Sequence, residues 1–214
     1  MTLLGQMYMA RFNAILLILI MALSSCVSHG TYQTPKPLGV DDDLMGVGIM
    51  QGFGDTKDSR KPSVDILYRR GLVKNVDVGL RTSGVLFYGG VLTIDAKYGV
   101  LRGPFLVSID LGMSYTSSRN VDSDSFDLVG YHPMLMIGTE RVYLGLKQNI
   151  YHGEGRAKML RMQADEHGKL SIPSLVIGVS VGKSFRIQPE LNCFFLETGS
   201  PILFPSIGLY ATGK

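Results

Sequence analysis

Residues 105–115 read FLVSIDLGMSY. Laid out as an extended chain, Phe105, Val107, Ile109, Leu111, Met113 and Tyr115 form one face. Leu106, Ser108, Asp110, Gly112 and Ser114 form the other, because successive side chains of a strand point to opposite sides. The same period of two recurs along the chain. Val64, Ile66 and Tyr68 alternate with Asp65, Leu67 and Arg69, and Val76, Val78 and Leu80 with Asp77, Gly79 and Arg81. Leu92, Ile94, Ala96 and Tyr98 alternate with Thr93, Asp95, Lys97 and Gly99. Leu175, Ile177, Val179 and Val181 alternate with Val176, Gly178, Ser180 and Gly182, and Ile187, Leu191, Cys193 and Phe195 with Arg186, Gln188, Glu190 and Asn192. No stretch beyond residue 43 carries a helical period, so the chain is predicted to be all-β.

The pattern predicts ten strands, at 44–53, 62–70, 75–83, 90–101, 104–116, 125–137, 140–151, 170–182, 184–196 and 203–212; eight is the alternative count. Many reach ten residues or more. That exceeds the five or six of an ordinary globular strand and matches the roughly 9–11 that a tilted strand needs to cross a bilayer. The connections alternate. GDTKDSRK, GVLFYG, SSRNVDSDS, the stretch from His152 to Lys169 and ETGSP are the longer ones, and GLVK, RG, GT and K the short ones. Short turns at one end and longer loops at the other are the asymmetry of membrane barrels.

Composition points the same way. Charged residues make up 18% of the 214-residue chain, hydrophobic residues 45%, and there are 26 glycines. A soluble domain carries about 25% charge, so part of this surface is expected to avoid water. The net charge of +3, without basic runs, gives nucleic-acid binding no support.

Alternation alone does not say which face looks inward. The polar face carries both signs within single strands: Asp65 with Arg69, Asp77 with Arg81, Asp95 with Lys97, Arg186 with Glu190, and Asp110 besides. In a narrow barrel such groups are expected to pair across the lumen, since buried unpaired charge is costly. On a soluble barrel enclosing a hydrophobic ligand the same residues would be the wet exterior. No tryptophan is present, so the Gly-x-Trp signature of lipocalins is absent, and any interfacial girdle must come from Tyr and Phe such as Tyr68, Tyr98, Phe105 and Tyr115.

Ahead of the strands, Ala14–Leu23 reads AILLILIMAL, preceded by Arg11. Ten apolar residues are half a membrane-crossing helix and fit the core of a signal peptide; Met7 or Met9 would serve as alternative starts to Met1. Leu23-Ser24-Ser25-Cys26 follows and resembles the bacterial lipobox. The resemblance implies cleavage before Cys26, acyl chains on its sulfur and new amino terminus, and, with Val27 next, sorting to the outer membrane. Each buried CH₂ of such chains contributes about 0.8 kcal/mol to anchoring. Residues 27–43, VSHGTYQTPKPLGVDDD, read as a tether, and the Asp41–Asp43 run as a solvated segment rather than a calcium site. The domain plan is therefore a signal peptide over 1–25, a lipidated tether over 26–43 and a barrel over 44–214.

Residues 44–214 resemble the small outer-membrane β-barrel superfamily in architecture. One departure is that Tyr210 lies four residues inside the end of the chain, where many members end on an aromatic. The resemblance implies a bacterial outer-membrane location with both termini periplasmic, outer-membrane lipid as surroundings, and the lipoprotein-sorting and barrel-insertion machineries as partners. The role expected is non-enzymatic: structural, adhesive or narrow-pore. A lipid-anchored periplasmic ligand carrier and an outer-membrane hydrolase are the alternatives. No cofactor or metal site is predicted. Gly-x-Ser-x-Gly, phosphate-loop and dinucleotide fingerprints are absent. His152 and His167 lie near Glu154, Asp165 and Glu166, His29 in the tether, and His132 before Pro133. Cys193 is left without a partner once Cys26 is lipidated.

Overall fold

The computed structural model describes residues 31–51, 62–85, 89–118, 126–154, 169–195 and 201–213. The expected signal peptide, Cys26, the expected tether up to residue 30 with His29, and most of the 153–169 loop with Asp165, Glu166 and His167 lie outside them. Ten strands close into one barrel. They are β1 Asp43–Gln51, β2 Pro62–Val73, β3 Val76–Val85, β4 Gly89–Leu101, β5 Leu106–Ser118, β6 Phe126–Gly138, β7 Val142–Glu154, β8 Lys169–Val179, β9 Phe185–Phe194 and β10 Ile202–Gly213. A break at Ser180, whose N–H donates to the Arg141 carbonyl at 2.7 Å, separates β8 from its two-residue continuation Val181–Gly182. The sequence pattern alone predicted one unbroken strand there.

Each strand pairs antiparallel with the next. The seam is made by β10 against β1, with Leu209 opposite Val47 and Tyr210 opposite Gly46. Among the described residues no strand is left as a free edge. Two corrections concern the connections. β3 and β4 pair as far as Val85 opposite Gly89, leaving only residues 86–88 between them, so the GVLFYG connection is shorter than expected and the loop asymmetry rests on the other four long connections. At the opposite end the GLVK segment belongs mostly to β2, and the turn is Lys74-Asn75. Asn75 takes φ 84°, a left-handed conformation that asparagine tolerates better than most residues. Pro133 sits within β6. The β6–β7 ladder skips positions 132 and 133 and resumes in unchanged register at Met134 opposite Lys147, because proline has no N–H to give.

The barrel has its apolar side outward. Along β5, Ile109 is 42% and Leu111 62% exposed, while Ser108 and Asp110 are 0% and 3% exposed. Ile66, Leu80, Ile94, Leu146, Ile177 and Leu209 are likewise on the outer surface. The inner surface carries Asp65, Arg69, Asp77, Asp95, Lys97, Lys147, Asn149 and Glu190, all buried. This inverts a water-soluble barrel, and it is the transmembrane pattern. A strand of 13 residues such as β5, rising about 3.3 Å per residue and tilted near 45°, spans roughly 30 Å, the thickness of a hydrocarbon core.

Candidate functional site

The lumen is filled by charge near the short-turn end. Arg69 of β2 donates from Nε and Nη2 to Asp77 Oδ1 of β3, at 2.9 and 2.5 Å, and from Nη1 to Asp95 of β4. Lys97 Nζ lies 3.1 Å from the second oxygen of Asp77. All four side chains are nine-tenths buried or more. The planar guanidinium bridges two carboxylates, which a point-charge ammonium could not do with the same geometry. Gly79 makes room for it, since a Cβ there would stand 2.7 Å from Arg69 Nη1 and 2.8 Å from the Asp95 carboxylate.

Residues 31–38, expected to be part of a free tether, instead enter the barrel as a strap. Thr31, Tyr32, Gln33 and Thr34 are 4%, 1%, 8% and 7% exposed. Their fixings run from the rim inward. Lys36 Nζ donates to Glu140 in the β6–β7 turn at 2.7 Å, and Leu38 N–H donates to Asp77 Oδ2 at 2.9 Å. Deeper, Lys97 Nζ donates to the Thr34 carbonyl at 3.2 Å. Halfway along β9, the Glu190 carboxylate accepts the consecutive N–H groups of Thr31 and Tyr32, at 2.9 and 2.6 Å. Two adjacent main-chain N–H groups converging on one anion form a nest, and Tyr32 reaches it with φ 52°. Gly48 permits the Tyr32 ring to lie against the β1 backbone, a space any Cβ would fill. Glu190 also accepts from Tyr143 and, at 3.0 Å, from Gln188.

Further toward the long-loop end, three side chains form a chain across β5, β6 and β7. Ser114 Oγ lies 2.7 Å from His132 Nε2, and His132 Nδ1 lies 3.1 Å from Asn149 Oδ1. Asn149 uses its amide N–H groups on the Ile172 carbonyl and Ser174 Oγ, both at 3.1 Å. Its oxygen therefore faces the histidine, Nδ1 carries the proton, and Nε2 is the acceptor for the serine hydroxyl. Tyr151 packs edge-on to His132 with centroids 5.5 Å apart. It also belongs to an apolar luminal cluster with Ile172 and Phe194, against which Leu170 and Phe204 pack.

No protein-family model and no curated protein sequence matches the chain. Among solved structures it is similar to the N-terminal β-barrel domain of Pseudomonas aeruginosa OprF, at 13% identity and TM-score 0.39 over 81% of this chain and 99% of that one. It is similar also to the Yersinia pestis outer membrane protein Ail in a phospholipid bilayer nanodisc, at 10% identity and TM-score 0.38 over 81% and 99%. A third is Acinetobacter baumannii OccAB4, at 7% identity and TM-score 0.36; this chain covers only 56% of that protein's length.

Of the polar residues expected to face inward, Arg69, Asp77, Asp95 and Lys97 share one network. Asp110 is buried beside it, with the strap's Gln33 in reach. Asp65 is buried on β2, and Arg81 is half-buried beside a cavity that Thr31, Tyr32 and Gln33 also line. Arg186 is a correction. It sits at the short-turn rim, donates to the Lys183 carbonyl at 3.1 Å, and does not join Glu190, whose partners come from the strap and from β7. The Asp run is spent at the rim on Arg70, on the Gly39 N–H and on the Tyr68 hydroxyl. Among the described residues no cluster of metal-ligating side chains occurs. His152 points outward on β7, and Cys193 is a free thiol. Sequence reasoning missed Ser114, Asn149, Tyr143 and Lys147. Lys147 and Asn149 alternate with Leu146 and Ile150, and that spacing was the available signal.

Proposed function

We propose that the protein is a non-enzymatic outer-membrane lipoprotein, a barrel closed by its own N-terminal segment and serving a structural or adhesive role. The inverted sidedness carries this: an apolar belt suited to hydrocarbon surrounds a lumen in which Arg69 and Lys97 pair with Asp77 and Asp95. A periplasmic carrier of a hydrophobic ligand would need an apolar interior, and this one is ionic and occupied. Lipidation of Cys26 adds a second hold on the membrane and implies acyl transfer, sorting and barrel insertion during biogenesis. The test is extraction of membranes from cells making Cys26→Ser, with carbonate or urea. The barrel is expected to remain with the membrane without its lipid. Release into the soluble fraction would overturn the spanning architecture.

The Ser114–His132–Asn149 chain favours a second reading, hydrolysis of a carboxylic ester. The Ser114 proton would pass to His132 Nε2 as Oγ attacks the carbonyl carbon. The alcohol leaves with that proton, and water then releases the acyl group from Ser114. The neighbouring apolar cluster of Tyr151, Ile172 and Phe194 suits an acyl chain. Covalent labelling of the refolded protein by a fluorophosphonate, lost in both Ser114→Ala and His132→Ala, is the expected result for an esterase. An unlabelled parent protein would reduce the three residues to a structural hydrogen-bond chain.

A further inference from the structure

Each of the four short turns carries an exposed cation. Lys74 stands between β2 and β3, Arg102 between β4 and β5, Arg141 between β6 and β7, and Lys183 between β8 and β9. Consecutive turns lie two strands apart. With strands about 4.8 Å apart and tilted near 40°, that spaces the cations roughly 12–14 Å along the rim. The Debye length at physiological salt is about 8 Å, so they repel one another little and each is free to hold its own anion. The protein supplies none. Glu140, the acid of the β6–β7 turn, is taken by Lys36 at 2.7 Å. In the remaining gap, between β10 and β1, Asp41 and Asp43 face Arg70 at 3.1 and 3.8 Å. Among the described residues Lys74, Arg102, Arg141 and Lys183 form no ion pair.

Their neighbours fix their depth. Lys74 follows Val73, Arg102 lies between Leu101 and Phe105, Arg141 precedes Val142, and Lys183 lies between Val181 and Phe185. Those six apolar side chains are each more than half exposed. So much bare apolar surface belongs at the edge of the hydrocarbon, where aromatic rings also gather. Lysine and arginine stems run along such a surface with their heads toward water. The four charges therefore stand at the level of lipid phosphates. We propose that the short-turn rim is a lipid-binding collar that selects anionic phospholipids and holds their phosphates on Lys74, Arg102, Arg141 and Lys183. The guanidiniums of Arg102 and Arg141 suit two parallel N–H bonds to phosphate oxygens, and the lysines act as point charges. A zwitterionic headgroup carries its own cation, which offsets the attraction; an anionic headgroup does not. The proposal rests on the membrane-spanning architecture inferred above.

The test uses the full-length protein in phosphatidylcholine vesicles, doped with spin-labelled phosphatidylglycerol or spin-labelled phosphatidylcholine. The fraction of each label immobilised on the protein gives their relative association. Phosphatidylglycerol is expected to be favoured by about threefold, and the preference to vanish in 1 M salt. It is expected to vanish also in the variant Lys74→Gln, Arg102→Gln, Arg141→Gln, Lys183→Gln. The charge-preserving variant Lys74→Arg, Arg102→Lys, Arg141→Lys, Lys183→Arg should keep it. The heat-dependent gel shift confirms that each variant is folded. A parent protein without preference, or a folded glutamine variant that retains it, overturns the collar and leaves the membrane barrel standing. If neither label is immobilised by the folded parent, no lipid-facing surface exists, and the spanning architecture fails together with the collar.

Discussion

Arg69→Ala is expected to lower barrel stability by about 3–5 kcal/mol, the usual cost of removing one partner from a buried ionic cluster. The variant leaves Asp77 with Lys97 and the Leu38 N–H, and removes the Arg69 contact of Asp95, both in a buried lumen. Arg69→Lys is expected to recover less than half of the loss. An ammonium reaches one carboxylate well and cannot bridge two. Urea unfolding of protein refolded into lipid vesicles, followed by the heat-dependent gel shift of folded barrels, measures both. A loss under 1 kcal/mol for Arg69→Ala would mean that the cluster is hydrated and contributes little.

Removing the strap is expected to open the barrel. Four hydrogen bonds to charged groups hold it: the N–H groups of Thr31 and Tyr32 on Glu190, Leu38 N–H on Asp77, and Lys97 on the Thr34 carbonyl. Each contributes about 1.5 kcal/mol, the low end for bonds to charged partners, against the conformational entropy of ordering residues 31–38. Protein lacking residues 31–38 is therefore expected to show single-channel current in planar bilayers where the full chain shows none. Tyr32→Pro should give an intermediate state with brief openings. It deletes one N–H and forbids the positive φ that Tyr32 adopts. Equal current from the full chain and the deletion, with both folded by gel shift, would show that the strap does not seal the lumen.

The barrel was legible in the sequence because its signal is local. In FLVSIDLGMSY each residue declares its face, and the ions at Asp77, Asp95 and Lys97 sit where no apolar neighbour could substitute. The strap was not legible, for a physical reason. TYQTPKPL is held mainly through its main chain, whose N–H and carbonyl groups are the same in every sequence, and prolines and polar side chains read as linker. Its side chains do not announce that Glu190, 158 positions away from Tyr32, is waiting for two of those N–H groups. Arg186 was misplaced because parity assigns a face and not a depth. It shares its side of β9 with Glu190 yet lies at the rim. The Ser114–His132–Asn149 chain escaped because its members come from three strands, and only the register of β5, β6 and β7 aligns them.

The seam between β1 and β10 joins the first strand to the last, and the segment just ahead of β1 lies inside the ring that this seam completes. A finished cylinder could not admit that segment sideways. The segment has two ways in: along the axis through the short-turn mouth, or enclosure as β1 zips onto β10. By either way the ring and its occupant belong to one continuous stretch of chain, so closing the cylinder and filling it draw on the same amino-terminal segment.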